Sequence, residues 1–118
     1  MRRCLSIQLH LPPADDRVQR LLLHILNAEL PSSQGLHNRG HYRPILVSFD
    51  HGKEDDVPYT NMNFDIEDVV LLWSFVKPQL DVEKLLSVSI VVCEGSDGWD
   101  DYLLLHSFDP DEKKDVVS

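Results

Sequence analysis

Six histidines are the residues of this chain whose type suits metal binding or proton transfer. His37 and His41 stand four apart, the spacing that points two imidazoles the same way on a helix, but Gly35 and Gly40 indicate a loop there. A zinc hydrolase motif also needs a glutamate beside the first histidine as base, and Asn38 stands at that position. We therefore expect a solvated loop, and no metal or other cofactor.

A second set of candidates for acid–base chemistry flanks a predicted strand. His41, Asp50 and His51 could share one sheet edge, where a carboxylate orients an imidazole as a general base. The sequence supplies no evident nucleophile. Cys93 stands beside Glu94, whereas a reactive thiolate needs a neighbouring cation or a helix N-terminus, so we expect a small core residue. An enzyme is the least supported hypothesis.

The stretch GSDG at residues 95–98 separates two apolar runs. A phosphate loop would need a lysine and a serine or threonine leading into a helix, and the spaced oxygen ligands of a calcium loop are missing as well. Asp and Gly tolerate the positive φ of tight turns. The stretch therefore predicts a hairpin turn.

Acidic and aromatic residues occur together in this turn and in the polar stretch over residues 50–63. Trp99 stands beside Asp100 and Asp101 at this turn. An indole next to carboxylates is typical either of a ring folded over a sheet edge or of an aromatic anchor within an acidic rim. The hypothesis of a binding surface places both stretches on one side of the molecule. Its candidate partner-binding residues are Glu54, Asp55, Asp56, Tyr59, Asp97, Trp99, Asp100 and Asp101.

The charge of the chain limits its partners. Twenty acids against eleven bases give a net charge of −9, which disfavours nucleic acids and anionic membranes and favours basic proteins. Residues 1–43 hold six arginines and three acids, whereas residues 44–118 hold five lysines and seventeen acids. We expect the arginines to pair internally with the acidic half.

Composition also bounds size and compartment. A chain of 118 residues suits one globular domain, predicted over residues 1–110, with a polar tail over residues 111–118. Cys4 and Cys93 form neither a disulfide framework nor a ligand spacing, which favours a reducing cytoplasm. No apolar run approaches the roughly 18 residues of a transmembrane helix.

The alternation of Leu5, Ile7, Leu9 and Leu11 with polar residues predicts a first strand, and two prolines then begin a helix predicted over residues 14–30. A loop over residues 31–43 precedes a second strand over residues 44–49. Residues 50–63 are predicted to be a second long loop. The second strand carries Ile45, Val47 and Phe49 on one side.

A second helix is predicted over residues 64–77, with Asp65 as its cap and Pro78 after its end. One apolar stripe includes Val69, Trp73 and Val76. Further apolar residues indicate a helix covered on two sides or an exposed patch, and we favour burial. These further residues are Leu71, Leu72 and Phe75.

Two apolar runs over residues 85–110 complete the order β-α-β-α-β-β. Helical connections between the first three strands make parallel crossovers available, and the last two form an antiparallel hairpin. The prediction is an α/β (α+β) two-layer sandwich with a mixed four-stranded sheet. One sheet face stays uncovered, because the first strand is polar at alternate positions.

The leading functional hypothesis is a small acidic protein-binding protein that blocks a basic site on a partner, with immunity-type inhibitors of toxins or nucleases as the preferred class. Acids imitate the phosphates that a basic cleft binds, and an aromatic anchor prolongs the complex. The alternative is an oligomerising structural or regulatory subunit that uses the second helix or the uncovered sheet face. The hypotheses allow a monomer or a homodimer.

Overall fold

The computed structural model describes residues 3–31 and 41–115. Two helices, seven strands and one 3₁₀ turn make up this part of the chain. In chain order the elements are β1 (Arg3–Leu9), α1 (Asp16–Leu26), β2 (Leu30–Pro31), β3 (His41–Tyr42), β4 (Ile45–Glu54), β5 (Val57–Ile66), α2 (Val69–Val82), the 3₁₀ turn (Leu86–Val88), β6 (Ser89–Gly95) and β7 (Gly98–Ser107).

Five strands form one sheet in the order β4-β5-β1-β6-β7, and every neighbouring pair is antiparallel. The short strands β2 and β3 pair separately. Without β2 and β3, the connectivity from β1 to β6 is β-α-β-β-α-β with β1 between β5 and β6, which is the ferredoxin-like split β-α-β arrangement. β7 extends this sheet by one strand.

Both helices contribute buried apolar residues to a single core against one face of the sheet. α1 contributes Val18, Leu21 and Ile25, at the i, i+3, i+7 spacing of one helix face. Alternate residues of β1 fill the same core, whereas Ser6 and Gln8 between them are only partly buried. We call the sheet face that carries Ser6 and Gln8 the open face. The α+β class is thus confirmed, with helices in one layer and the sheet in the other.

The predicted four-stranded mixed sheet is wrong, because residues 50–63 are not a loop. They complete β4 and begin β5, which meet at a tight turn whose central residues Asp55 and Asp56 have φ values of 50° and 64°. Glycine or asparagine usually marks such a turn. With this additional strand, both neighbours of β1 in the sheet are antiparallel to it. The strands that the helices connect are therefore not neighbours in the sheet, and the predicted parallel pairs do not form.

The prediction that Ile45, Val47 and Phe49 share one side of the second strand is also wrong. Ile45 and Val47 are 54% and 61% exposed, whereas Leu46 and Phe49 pack against the core. A β-bulge between Leu46 and Ser48 inserts one residue. The extra residue shifts the strand's alternation by one position, so that Leu46 and Phe49 both face the core. Leu46 lies opposite Phe64, and Phe49 lies opposite Met62.

Both helices differ from their predicted limits. α1 ends at Leu26, before the predicted end at residue 30. α2 begins after Asp68, whose carboxylate accepts a hydrogen bond from the N–H of Leu71, while Asp65 belongs to β5. Pro78 lies inside α2 and does not end it. No helix in the described ranges is long and apolar enough to cross a membrane.

Candidate functional site

The two acidic turns lie at opposite ends of the sheet. The β4–β5 turn lies beyond the end of β1 where Leu9 pairs with Thr60, and the β6–β7 turn lies beyond the end where Leu5 pairs with Cys93. At about 3.3 Å per residue, the ten residues of β5 separate these ends by about 30 Å. The expectation that both acidic stretches share one side is therefore wrong.

The β4–β5 hairpin projects past its neighbour strand. β1 pairs with β5 only as far as Thr60, so the pairs Gly52–Tyr59, Lys53–Pro58 and Glu54–Val57 extend alone. We call residues 52–59 the hairpin arm. Its acids Glu54, Asp55 and Asp56 are exposed. None of the three forms an ion pair with a cation in the described part of the chain.

Tyr59 lies on the open face of the arm, and its ring packs over Gly52 of the paired strand. A Cβ atom at Gly52 would come within 2.8 Å of the hydroxyl oxygen of Tyr59. Glycine therefore makes room for the ring, an arrangement in which an aromatic side chain covers a cross-strand glycine. The partly buried Tyr59 is held against the arm by this contact.

Where the arm meets the body, the open face contains a cavity of about 340 Å³. Its lining combines two carboxylates, an aromatic ring, two aliphatic side chains, an amide and an imidazole. This volume is near the lower limit of small-molecule sites and suits one inserted side chain. The lining residues are Gln8, His10, Glu54, Asp55, Val57, Tyr59 and Ile90.

His10 forms one side of this cavity and is fixed by three contacts. Its backbone N–H donates to the carbonyl of Val88 at 2.8 Å. Its ring meets the ring of Phe108 edge to face with centroids 4.7 Å apart. Its Nε2 atom donates to Oε1 of Gln8 at 3.2 Å, so the amide and imidazole are held together. These contacts hold the imidazole and the amide in place at one wall of the cavity.

The other acidic turn is built differently. Oδ1 of Asp101 accepts a hydrogen bond from the N–H of Asp97 at 2.8 Å, and Oδ2 accepts one from the hydroxyl of Ser96 at 2.9 Å. These bonds, with that from Asp97 the stronger influence, lower the pKa of the Asp101 carboxyl. Asp101 therefore organises the turn, while Asp100 and Trp99 beside it are exposed.

The described arginines leave the acids of the arm free. Arg17 pairs with Asp15 at 3.1 Å, and Arg43 pairs with Glu29 at 3.0 Å, both within residues 1–43. Arg20 pairs with Glu83 at 2.9 Å and so joins the basic and acidic halves as predicted. The pairs of Arg17 and Arg43 contradict that prediction, because both partners lie in the basic half.

The candidates for catalysis are not brought together. Asp50 and His51 are consecutive in β4, so their side chains point to opposite faces of the sheet. His37 and the side chain of His41 lie outside the described residues. In the described ranges, no three histidine, cysteine or acidic side chains are grouped to hold a metal.

Neither cysteine is an activated nucleophile. Burial, followed by the charges of Glu94 and Asp65, raises the pKa of the Cys4 thiol to about 11. Burial likewise raises the pKa of the Cys93 thiol to about 11. Both groups are therefore protonated near pH 7, and Cys93 is a core residue as expected.

The side of the cavity that the body of the molecule supplies was not predicted from the sequence. Gln8, His10 and Ile90 come from β1, the residues after it and β6, and β-sheet register alone brings them beside the arm. The alternation of Thr60, Met62 and Phe64 with Tyr59, Asn61 and Asn63 was the available signal, because it marks a strand with one open face.

No protein-family model matches the chain, and the searches of curated proteins and of solved structures found no significant match. We therefore infer function from the geometry and charge of the described residues.

Proposed function

We propose that this chain is a non-enzymatic protein-binding protein whose hairpin arm occupies a basic site on a partner protein. The main observation in support is the hairpin arm, which extends three exposed acids beyond the body of the molecule. None of these acids forms an ion pair in the described part of the chain. Immunity-type inhibition of a toxin or nuclease is the preferred class, because carboxylates on a projecting hairpin can occupy a cleft built for phosphates.

Energetics support the arm over the opposite turn as the docking element. An exposed carboxylate without an internal cation gains a partner without losing one, whereas Asp101 would have to give up two hydrogen bonds. Tyr59 adds aromatic area next to the acids. The proposal therefore assigns docking to Glu54, Asp55, Asp56 and Tyr59, and leaves Asp97, Trp99 and Asp100 as a separate exposed group.

The test is capture of the partner with two baits, the wild-type chain and the triple variant Glu54→Lys, Asp55→Lys and Asp56→Lys. We expect the wild type to retain one basic protein in stoichiometric amount and the variant to lose it. The purified partner should then lose its activity when the wild-type chain is added. Equal capture by both baits, or a partner whose activity is unaffected, would refute the proposal.

A second candidate is self-association through the outer edge of β4. In the described residues no strand pairs with this edge, and it carries the exposed Ile45 and Val47. The apolar surface of α2 supports this candidate less, because Leu72 is fully buried and Leu71 and Phe75 pack on the core. Light scattering at rising protein concentration tests this candidate. A mass that stays at that of the monomer would exclude self-association.

A further inference from the structure

We infer that the cavity between the hairpin arm and the open face binds an arginine side chain of the basic partner. This inference rests on the proposed function and names the group that would be recognised. Its first support is charge. At alternate positions of β1, β4, β5 and β6 the described open face carries no lysine or arginine, and Lys53 of the arm lies on the opposite face.

The second support is the chemistry of the lining. A guanidinium group has a planar set of donors that pairs with carboxylates, and its face stacks on aromatic rings. Glu54 and Asp55 supply carboxylates and Tyr59 supplies the ring. Ile90 and Val57 offer apolar surface to the methylene stem of the same side chain. A lysine ammonium would pair with the same carboxylates, but its interaction with the aromatic ring would be weaker than that of a guanidinium.

The third support is that much of the cavity is ordered in advance. The Tyr59 ring is seated over Gly52, and the His10 ring is held by Phe108 and Gln8. Since these groups do not need to be ordered on binding, less conformational entropy is lost. The occupant is therefore a single side chain entering a formed recess.

The experiment is an NMR titration of the full chain at low salt with the peptide acetyl-Gly-Arg-Gly-amide. A matched peptide with citrulline, the neutral isostere of arginine, is the control. We expect saturable shifts at Gln8, Tyr59 and Ile90, and binding at least about tenfold weaker for citrulline because the charge-assisted bonds are lost. Equal binding of both peptides, or shifts spread over all acidic regions, would overturn the inference.

Three variants locate the binding. Glu54→Gln should lower the affinity for the arginine peptide about threefold to tenfold, and Tyr59→Leu should lower it severalfold. Asp100→Asn removes an exposed acid at the opposite end of the sheet and should leave the affinity unchanged. An equal effect of Glu54→Gln and Asp100→Asn would show attraction by net charge only. Shifts at the cavity on concentrating the chain alone would identify a second copy as the occupant and overturn the inference.

The failures of the two proposals are distinguishable. If the peptide does not bind but charge reversal of the arm still abolishes capture of the partner, the arm docks without arginine insertion. If the peptide binds selectively but no partner is retained, the recess exists and the proposed function is wrong.

Discussion

At the scale of single residues, the β6–β7 turn shows that a carboxylate in an acidic stretch can be engaged by folding. Asp101 lies over Gly95, and a Cβ atom at that glycine would clash with the Asp101 carbonyl oxygen and stand 2.6 Å from its Oδ1. The sequence favoured Asp101 as a binding residue because its type and neighbours were visible and its hydrogen bonds were not.

Gly95→Ala should therefore be one of the most destabilising small substitutions in the chain. The new methyl group meets backbone, which cannot move aside as a flexible side chain can, so we expect a loss of about 2–3 kcal/mol in urea unfolding. Gly98→Ala is the matched control, because its Cβ would make only an ordinary contact with the Glu94 carboxylate, whereas its φ of 76° is unfavourable for alanine. We expect about 1 kcal/mol there. Similar losses at both positions would contradict the steric explanation.

Asp101 also predicts a pH dependence. Because its pKa is lowered in the folded chain, its contribution to stability is present above the unfolded pKa of about 3.9 and is lost as pH falls through the folded value. Asp101→Asn should be less stable than the wild type at pH 7, and the difference should shrink below about pH 3.9. Urea midpoints from pH 2 to 7 measure it. The exposed Asp100→Asn is the control; a pH-independent deficit for Asp101→Asn would refute the assignment.

At the scale of elements, the class of fold was predictable and the sheet was not. Alternation in β1 and the apolar runs around the β6–β7 turn identified their strands, since both patterns are local. The β4–β5 hairpin was missed because aspartates occupy its left-handed turn and polar residues fill its open face. The cavity could not be predicted, because it depends on register between β1, β5 and β6.

The same hairpin allows stability and charge to be changed separately. Replacing Asp55 and Asp56 by Asn and Gly matches the preferred residues for two successive positive φ values, so we expect a gain of about 0.5–1 kcal/mol with weaker binding to the partner. Replacing both by Glu keeps the charge but suits the turn less, so we expect lower stability with binding largely retained. Urea unfolding and partner affinity are the two measurements. Binding that follows stability in both variants would argue against an electrostatic role of the arm.

At the scale of the whole molecule, the chain is elongated, with principal extents of 50 × 29 × 23 Å, and its two acidic turns lie at opposite ends of the sheet. Arg17 and Arg20 are paired on the helical layer. The proposed basic partner would therefore meet one acidic end at a time. Electrostatic attraction over such distances is screened by salt, because the Debye length is about 8 Å at physiological ionic strength.

The association rate with the partner should therefore depend on one end only. Lysine at Glu54 and Asp55 should lower the rate constant at least about tenfold at low salt and make it nearly independent of salt. Lysine at Asp97 and Asp100 changes the net charge equally but acts at the far end, so its effect should be several times smaller. Stopped-flow measurements from about 20 to 500 mM salt compare the two pairs across the screening range. A larger effect of Asp97 and Asp100 would transfer docking to the end that carries Trp99. Equal effects would mean that net charge steers the encounter, because a specific arm predicts different rates for two variants of identical charge.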